Sequence, residues 1–409
     1  MRIQHQPILS ILFSLIICCL SASAQTFSVI HTFTGGSDGA QPYASVTLGG
    51  PGTLYGTAYA GGLSGCSGGC GVAFKMTQYN GAWVFAPLHA FTSSSGSNPV
   101  APVAFGPGNL LYGTAAAGGT GSCATGCGVV FTLQPPPTGC RTALCYWTYN
   151  PIYEFASLSQ FDPLGNLAFD HAGHVYGSTY QGAGCGTIFQ LTRSGLSWTE
   201  TMVYQFRNCA DGIHGPTGVT IDASDNLYLV SEETSYSQFG SVYEATPSGS
   251  GWTVNPIYNF QYNDGFYPEG VPVIDAQGNL YGTTSSGGTG GGGTVFALSP
   301  NGSGWNFVLI DTLVGLGLQY GGPWGNLAFD SAGNLYGTTL QNGSHNCGSV
   351  FKLTRSGQQW IYSDLYDFTC GNDGAYPYAG PTIDSSGNVY GTTTAGGSFG
   401  QGVVWEIRP

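Results

Sequence analysis

One tetrapeptide, L-Y-G-T with small changes, recurs seven times along the chain. Its Tyr falls at Tyr55, Tyr112, Tyr176, Tyr228, Tyr281, Tyr336 and Tyr390. A second motif, G-[TSV]-[VAI]-[FYW], follows each copy and ends at Phe74, Phe131, Phe189, Tyr243, Phe296, Phe351 and Trp405. A Trp follows about nine residues later in most copies: Trp83, Trp198, Trp252, Trp305 and Trp360, with Trp147 displaced by an insertion. Self-similarity at this period means one supersecondary unit repeated, because a single unit cannot bury its own apolar face.

Each unit reads as four strands. In the fifth copy strand a is 271–275, b is 279–284, c is 293–298 and d is 305–313. The a–b link carries a Gly-Asn turn and the c–d link (299–304, SPNGSG) has turn chemistry throughout. Four antiparallel strands repeated seven times specify an all-β, seven-bladed β-propeller. Composition agrees: 68 Gly among 409 residues with 42% hydrophobic and 13% aromatic residues suits short strands and tight turns. No sustained 3.6-residue apolar period follows the N-terminus, so almost no helix is expected.

The last copy stops after strand c (403–407). The segment 25–33 (QTFSVIHTF) aligns with strand d of the first copy, 83–91 (WVFAPLHAF). The N-terminal strand is therefore expected to complete the last blade. An open solenoid would need distinct capping units, and none is visible.

Residues 1–24 read as a signal peptide: Arg2 and His5, an apolar run at 8–20, and Ala22-Ser23-Ala24 before cleavage at Gln25. A lipoprotein box at Cys18 lacks the small residues that lipidation requires. Residues 25–409 form the propeller, expected to be secreted, periplasmic or on the cell surface. The chain ends just after strand c, which reads as unanchored. Net charge is −13 with eight Lys and Arg, which excludes nucleic-acid binding and attraction to an anionic membrane. No membrane insertion is expected after cleavage, and a monomer is expected.

Ten cysteines remain, and export favours disulfides. Repeat register pairs Cys185 with Cys209 and Cys347 with Cys370, each joining the start of strand c to the end of strand d. Cys66/Cys70, Cys123/Cys127 and Cys140/Cys145 close local loops. A four-thiolate zinc site from the two C-x3-C loops is the competing reading.

The b–c and d–a loops share one face. The d–a loops carry D-G-x-x-P at 38–42, 264–268 and 373–377, and one residue longer at 211–216. Aromatics gather there, Tyr378 among them. Tyr43, Tyr59, Tyr180, His214, Tyr267, Trp324 and Tyr376 are the candidate ligand-binding residues, suited to a glycan by stacking and hydrogen bonding. The competing reading makes the Asp, Gly and Pro turn-formers, since a feature present in most blades is architectural. The turn residues Asp170, Asp222, Asp275, Asp330 and Asp384 supply one carboxylate each, too few for calcium. His31 and His89 hold a strand-d slot otherwise filled by Tyr, and His171, His174 and His345 form no spaced cluster. No G-x-S-x-G or H-E-x-x-H occurs. No catalytic residue, metal ligand or cofactor is assigned.

The unit G-N-L-Y-G-T-T-S-S-G-G-T-G-G-G-G-T-V-F-A-L-S-P-N-G-S-G-W (278–305) resembles the GloVer (Gloeo_Verruco) tandem repeat of exported bacterial proteins. The likeness spans essentially the whole mature chain. Blades one and two lack the turn Asp, and blade four reads L-Y-L-V at 227–230. The resemblance implies a propeller-type exported protein and carries over no catalytic residue. The expected function is a binding or scaffolding module with a glycan or protein ligand. The alternatives are a propeller hydrolase or lyase acting on an extracellular polysaccharide, and a structural envelope component. The enzyme reading turns on whether departures from the repeat, His214, Glu232, Glu233, Trp324 and His345, converge at the channel mouth.

Overall fold

The computed structural model describes residues 25–136, 147–182, 185–206, 215–232, 239–249, 251–302, 304–315, 321–357 and 359–409. The expected signal peptide, Cys140, Cys145, Cys209, His214 and Glu233 lie outside these residues.

The strands form seven four-stranded antiparallel sheets. Six are consecutive in the chain. Blade one, for example, is Thr47–Leu48, Thr53–Ala58, Val72–Tyr79 and Ala82–Ala90. The seventh is built from both ends: Thr26–Thr32 pairs with Val403–Arg408, from Thr26↔Arg408 to Thr32↔Val403. Among the described residues the only helical turn is a 3-10 turn at Pro107–Asn109.

Two local expectations are corrected. Strand a is only two residues long in six of the seven blades; in blade five it is Val273–Ile274 rather than 271–275. Strands c and d run further out than their turn-rich sequence suggests. In blade five they are Gly291–Asn301 and Gly304–Val314, so Ser299 and Pro300 are paired strand residues. The last pair of the hairpin is Asn301↔Gly304.

The repeated residues are consumed by the fold. In the turn Asp275–Asn279, Asp275 Oδ1 accepts the Gln277 and Asn279 amides, both at 2.9 Å. Its Oδ2 accepts Asn279 Nδ2 (2.8 Å) and the Tyr281 hydroxyl (3.2 Å). The same bonds recur at Asp330 and Asp384, which leaves these carboxylates little capacity for a cation. The Gly of the tetrapeptide lies opposite the strand-c aromatic, as in Gly282↔Phe296. A Cβ on Gly282 would sit 2.5 Å from Phe296 Cζ. The Thr reaches the neighbouring blade: Thr57 donates to Ala101 O (3.0 Å), Thr338 to Ala379 O (2.9 Å) and Thr392 to Ala44 O (2.8 Å). The strand-d Trp packs edge-on against the Tyr of the preceding blade, as Trp305 on Tyr228 and Trp252 on Tyr176, both at 5.6 Å.

Every c–d pair carries a bulge beside the strand-c aromatic, including the closing pair, where the register shifts between Val29 and His31. The N-terminal strand thus reproduces even the irregularity of a strand d, which adds local twist. Cys66–Cys70, Cys123–Cys127 and Cys347–Cys370 are disulfides. Pairing within each C-x3-C loop leaves no thiolate for zinc. Cys185 is disulfide-bonded too, while its expected partner Cys209 is outside the described residues. No helix of the described residues is long and apolar enough to cross a membrane.

Candidate functional site

The Asp of D-G-x-x-P is a turn acceptor. Asp373 takes the Tyr366 hydroxyl (3.0 Å) and the Thr369 amide (2.8 Å), and Asp264 takes the Tyr258 hydroxyl (2.5 Å). His31 occupies the same slot, with Nε2 3.4 Å from Asp38, and burial lowers its pKa. His89 stacks on Tyr149 at 4.2 Å, and burial pushes it down to about 4. The Pro packs on the preceding blade: a Cβ on Gly348 would meet Pro377 Cδ at 2.4 Å, and one on Gly71 would meet Pro99 Cδ at 2.5 Å.

The residue before the Pro is left-handed in five blades: Gln41, Asn98, Asp162, Tyr267 and Tyr376, with φ between 52° and 66°. This conformation is uncommon outside Gly. It lets one peptide unit bridge two blades. The Tyr376 amide donates to Cys347 O (2.9 Å) while its carbonyl accepts from Thr394 N (3.1 Å). Tyr267 makes the equivalent bonds to Phe239 O and from Ser285 N. Tyr267 and Tyr376 therefore hold backbone junctions, and neither lines the mouth.

The residue after the Pro is different in kind. It reads Tyr43, Val100, Leu164, Thr217, Glu269, Trp324 and Tyr378 around the ring. All seven line one cavity of about 340 Å3 at the mouth of the central channel. Tyr180 and Glu232, each the first residue after a strand b, join them. A position that varies from blade to blade thus lines the cavity in all seven.

The mouth has two sides. On blades six, seven and one, Trp324 meets Tyr378 at 5.2 Å, Tyr378 meets Tyr43 at 4.9 Å, and Tyr43 meets Tyr59 at 5.3 Å. On blades three to five lie Tyr180, Glu232 and Glu269, with Asp162 outside the lining but near enough to act on Tyr180. Glu232 and Glu269 are each 5% exposed. Burial raises the Glu269 pKa well above the usual range, and Glu232, within hydrogen-bonding reach, raises it further. The Tyr180 hydroxyl donates to Glu232 Oε1 (3.3 Å); burial and then Glu232 and Glu269 push its pKa up. Burial lifts Asp162 to about 6. Glu269 Oε1 and Asn166 Oδ1 are buried acceptors with no hydrogen-bond partner.

Of the sequence-selected residues, Tyr43, Tyr180 and Trp324 come together here, with Tyr59 behind Tyr43. Glu232, marked as a departure from the repeat, does converge on the mouth. His345 does not: it is exposed on a blade-six loop, with Nδ1 2.9 Å from Ser344 Oγ. Glu269 was not selected. Its signal is present in the sequence as the single acidic residue at the post-Pro position.

A model of the Gloeobacter/Verrucomicrobia repeat matches residues 16–183 and 162–405. The chain belongs to that family. No curated protein matches the sequence. Among solved structures, this Gloeobacter/Verrucomicrobia-repeat propeller is similar to the extracellular domain of a protein described as a hybrid two component system, BT3049 of B. thetaiotaomicron. The TM-score is 0.54 at 13% identity, over 94% of this chain and 41% of that one. The chain spans less than half the length of that relative. It is also similar to an ulvan lyase of polysaccharide lyase family PL25 bound to -[GlcA(1-4)Rha3S]-. There the TM-score is 0.53 at 12% identity, over 81% and 86% of the two chains. At these identities the likeness is one of fold.

Proposed function

We propose that this repeat protein is an exported binding propeller whose ligand, a glycan, seats in the mouth between the aromatic and acidic sides. One observation carries the reading. Positions constant among blades are used by hydrogen bonds and packing, whereas the variable post-Pro position faces a single cavity from all seven blades. The cavity lies within the usual range for small ligands, and its lining mixes aromatic faces with a few polar groups, Ser45, Asn166, Thr217 and Asn326. Disulfides support an oxidising compartment.

The coupled acids Glu232 and Glu269 favour a second reading, a polysaccharide-cleaving enzyme. The sugar in the lyase neighbour is a uronate and a sulfate ester, hence anionic. The described lining here carries two carboxyls and no Lys, Arg or His, the wrong sign for such a substrate.

A glycan array followed by calorimetric titration of the residue 25–409 protein tests the proposal. Binding is expected, weakened at least tenfold by Trp324→Ala or Tyr378→Ala with little change in melting temperature. Binding indifferent to both substitutions would place the ligand elsewhere.

A further inference from the structure

Asp162–Pro163 is the one Asp–Pro bond in the sequence. It lies in the connection between blades two and three, and the fold holds both sides of it. The Asp162 amide donates to Cys127 O of blade two (3.2 Å), and its carbonyl accepts the Tyr180 amide of blade three (2.9 Å). Pro163 is buried against blade two, where a Cβ on Gly128 would meet Pro163 Cδ at 2.4 Å. Between these anchors Asp162 is left-handed, with φ 66°. A non-Gly residue keeps that conformation at a cost, because its surroundings over-determine it. Four other blades repeat this backbone with Gln41, Asn98, Tyr267 and Tyr376, and Asp162 alone among the five brings a carboxyl. Burial lifts that carboxyl to about 6, so it keeps its proton in mild acid. Around it Tyr180 is held protonated by burial, then by Glu232 and Glu269, and Cys127 is tied in a disulfide.

We propose that Asp162–Pro163 is a self-cleavage site, opened in mild acid by the Asp162 carboxyl. A carboxyl oxygen attacks the carbonyl carbon of the same residue and closes a succinic-anhydride ring. The bond from that carbon to the Pro163 nitrogen breaks, and the carboxyl proton passes to the nitrogen, which leaves as a secondary amine. Water then opens the anhydride, and Asp162 becomes a C-terminal residue. Nucleophile and target belong to one residue, so no encounter has to be arranged. The Tyr180 N–H already lies on the oxygen where negative charge develops. Cleavage releases the left-handed strain. It also frees the junction beside Leu164, which lines the mouth, and leaves a charged Pro163 amine next to it.

The test follows the residue 25–409 protein by intact mass after reduction. Fragments 25–162 and 163–409 are expected at pH 5, at least tenfold faster than at pH 8. They should also form at least tenfold faster than from the same chain unfolded in guanidinium at pH 5. Asp162→Asn, which places in blade three the residue that blade two has at Asn98, should give neither fragment. A wild-type chain that stays intact at pH 5 overturns the proposal without requiring any variant to fold. Equal rates in the folded and unfolded chains overturn the part played by the fold. The same fragments from Asp162→Asn would trace the cut to a contaminating protease and overturn it too.

Discussion

At the scale of single residues, the repeat divides into positions that hold the blade and one position that does not. Asp275 fixes its turn and the Tyr281 hydroxyl together. Asp275→Ala should cost about 2–3 kcal/mol, since several charge-assisted bonds go and Tyr281 loses its acceptor; denaturant unfolding measures it. Gly282→Ala should cost about 1–3 kcal/mol by overpacking against Phe296. Glu269 behaves oppositely. Its folded-state pKa lies above its unfolded value, so between the two the folded chain holds the extra proton. Stability therefore falls as pH rises above the ordinary Glu range, with Glu232, Tyr180 and Tyr378 the groups around it. Asp162 acts in the same sense up to about 6. His31 and His89, held neutral by burial, pull the other way below the ordinary His range. The readout is therefore the variant against wild type: from pH 5 to pH 8 the melting temperature should fall less, or rise more, in Glu269→Gln than in wild type. The same pH dependence in both proteins would refute the raised Glu269 pKa.

At the scale of elements, register told more than local propensity. The seven tetrapeptides located every strand b, and the alignment of 25–33 with strand d anticipated the closing pair down to its place in the sheet. Strand a was overextended because its apolar residues continue into the channel wall after pairing stops. The hairpin of strands c and d was cut short because Ser, Pro and Asn there read as turn residues, yet their side chains face solvent and the ladder tolerates them. The candidate site was half legible. Tyr43, Tyr180 and Trp324 stood out as aromatics in loops. Glu269 did not, because a lone Glu has no motif, and only comparison of equivalent positions reveals it. Tyr267 and Tyr376 lie outside the cavity lining, and the left-handed backbone that holds them at the blade junctions is invisible in composition. Disulfides should follow loop length: removing Cys347–Cys370, 23 residues apart, should cost about 3 kcal/mol, and Cys66–Cys70, 4 apart, about 2 kcal/mol.

At the scale of the whole molecule, stability is cyclic. Blades lean on their neighbours through strand-b hydroxyls, as Ser178 of blade three does on Pro216 and Thr392 of blade seven on Ala44 of blade one. Removing residues 25–33 should strip blade seven of its outer strand and bare the edge of Val403–Arg408. Such an edge templates association. The truncated protein should form concentration-dependent oligomers in sedimentation experiments and lose the single melting transition.

The closing pair also fixes how the ring answers to tension. Thr26 lies directly opposite Arg408, and the two strands run antiparallel away from that point. A load drawn between the two ends therefore peels the pairs in sequence instead of shearing them together. A ring that resists heat through contacts shared by all seven blades has its mechanical weak point at this one seam. Single-molecule stretching from residues 25 and 409 should open it at low force, while the same pull applied across two loops of one blade should not.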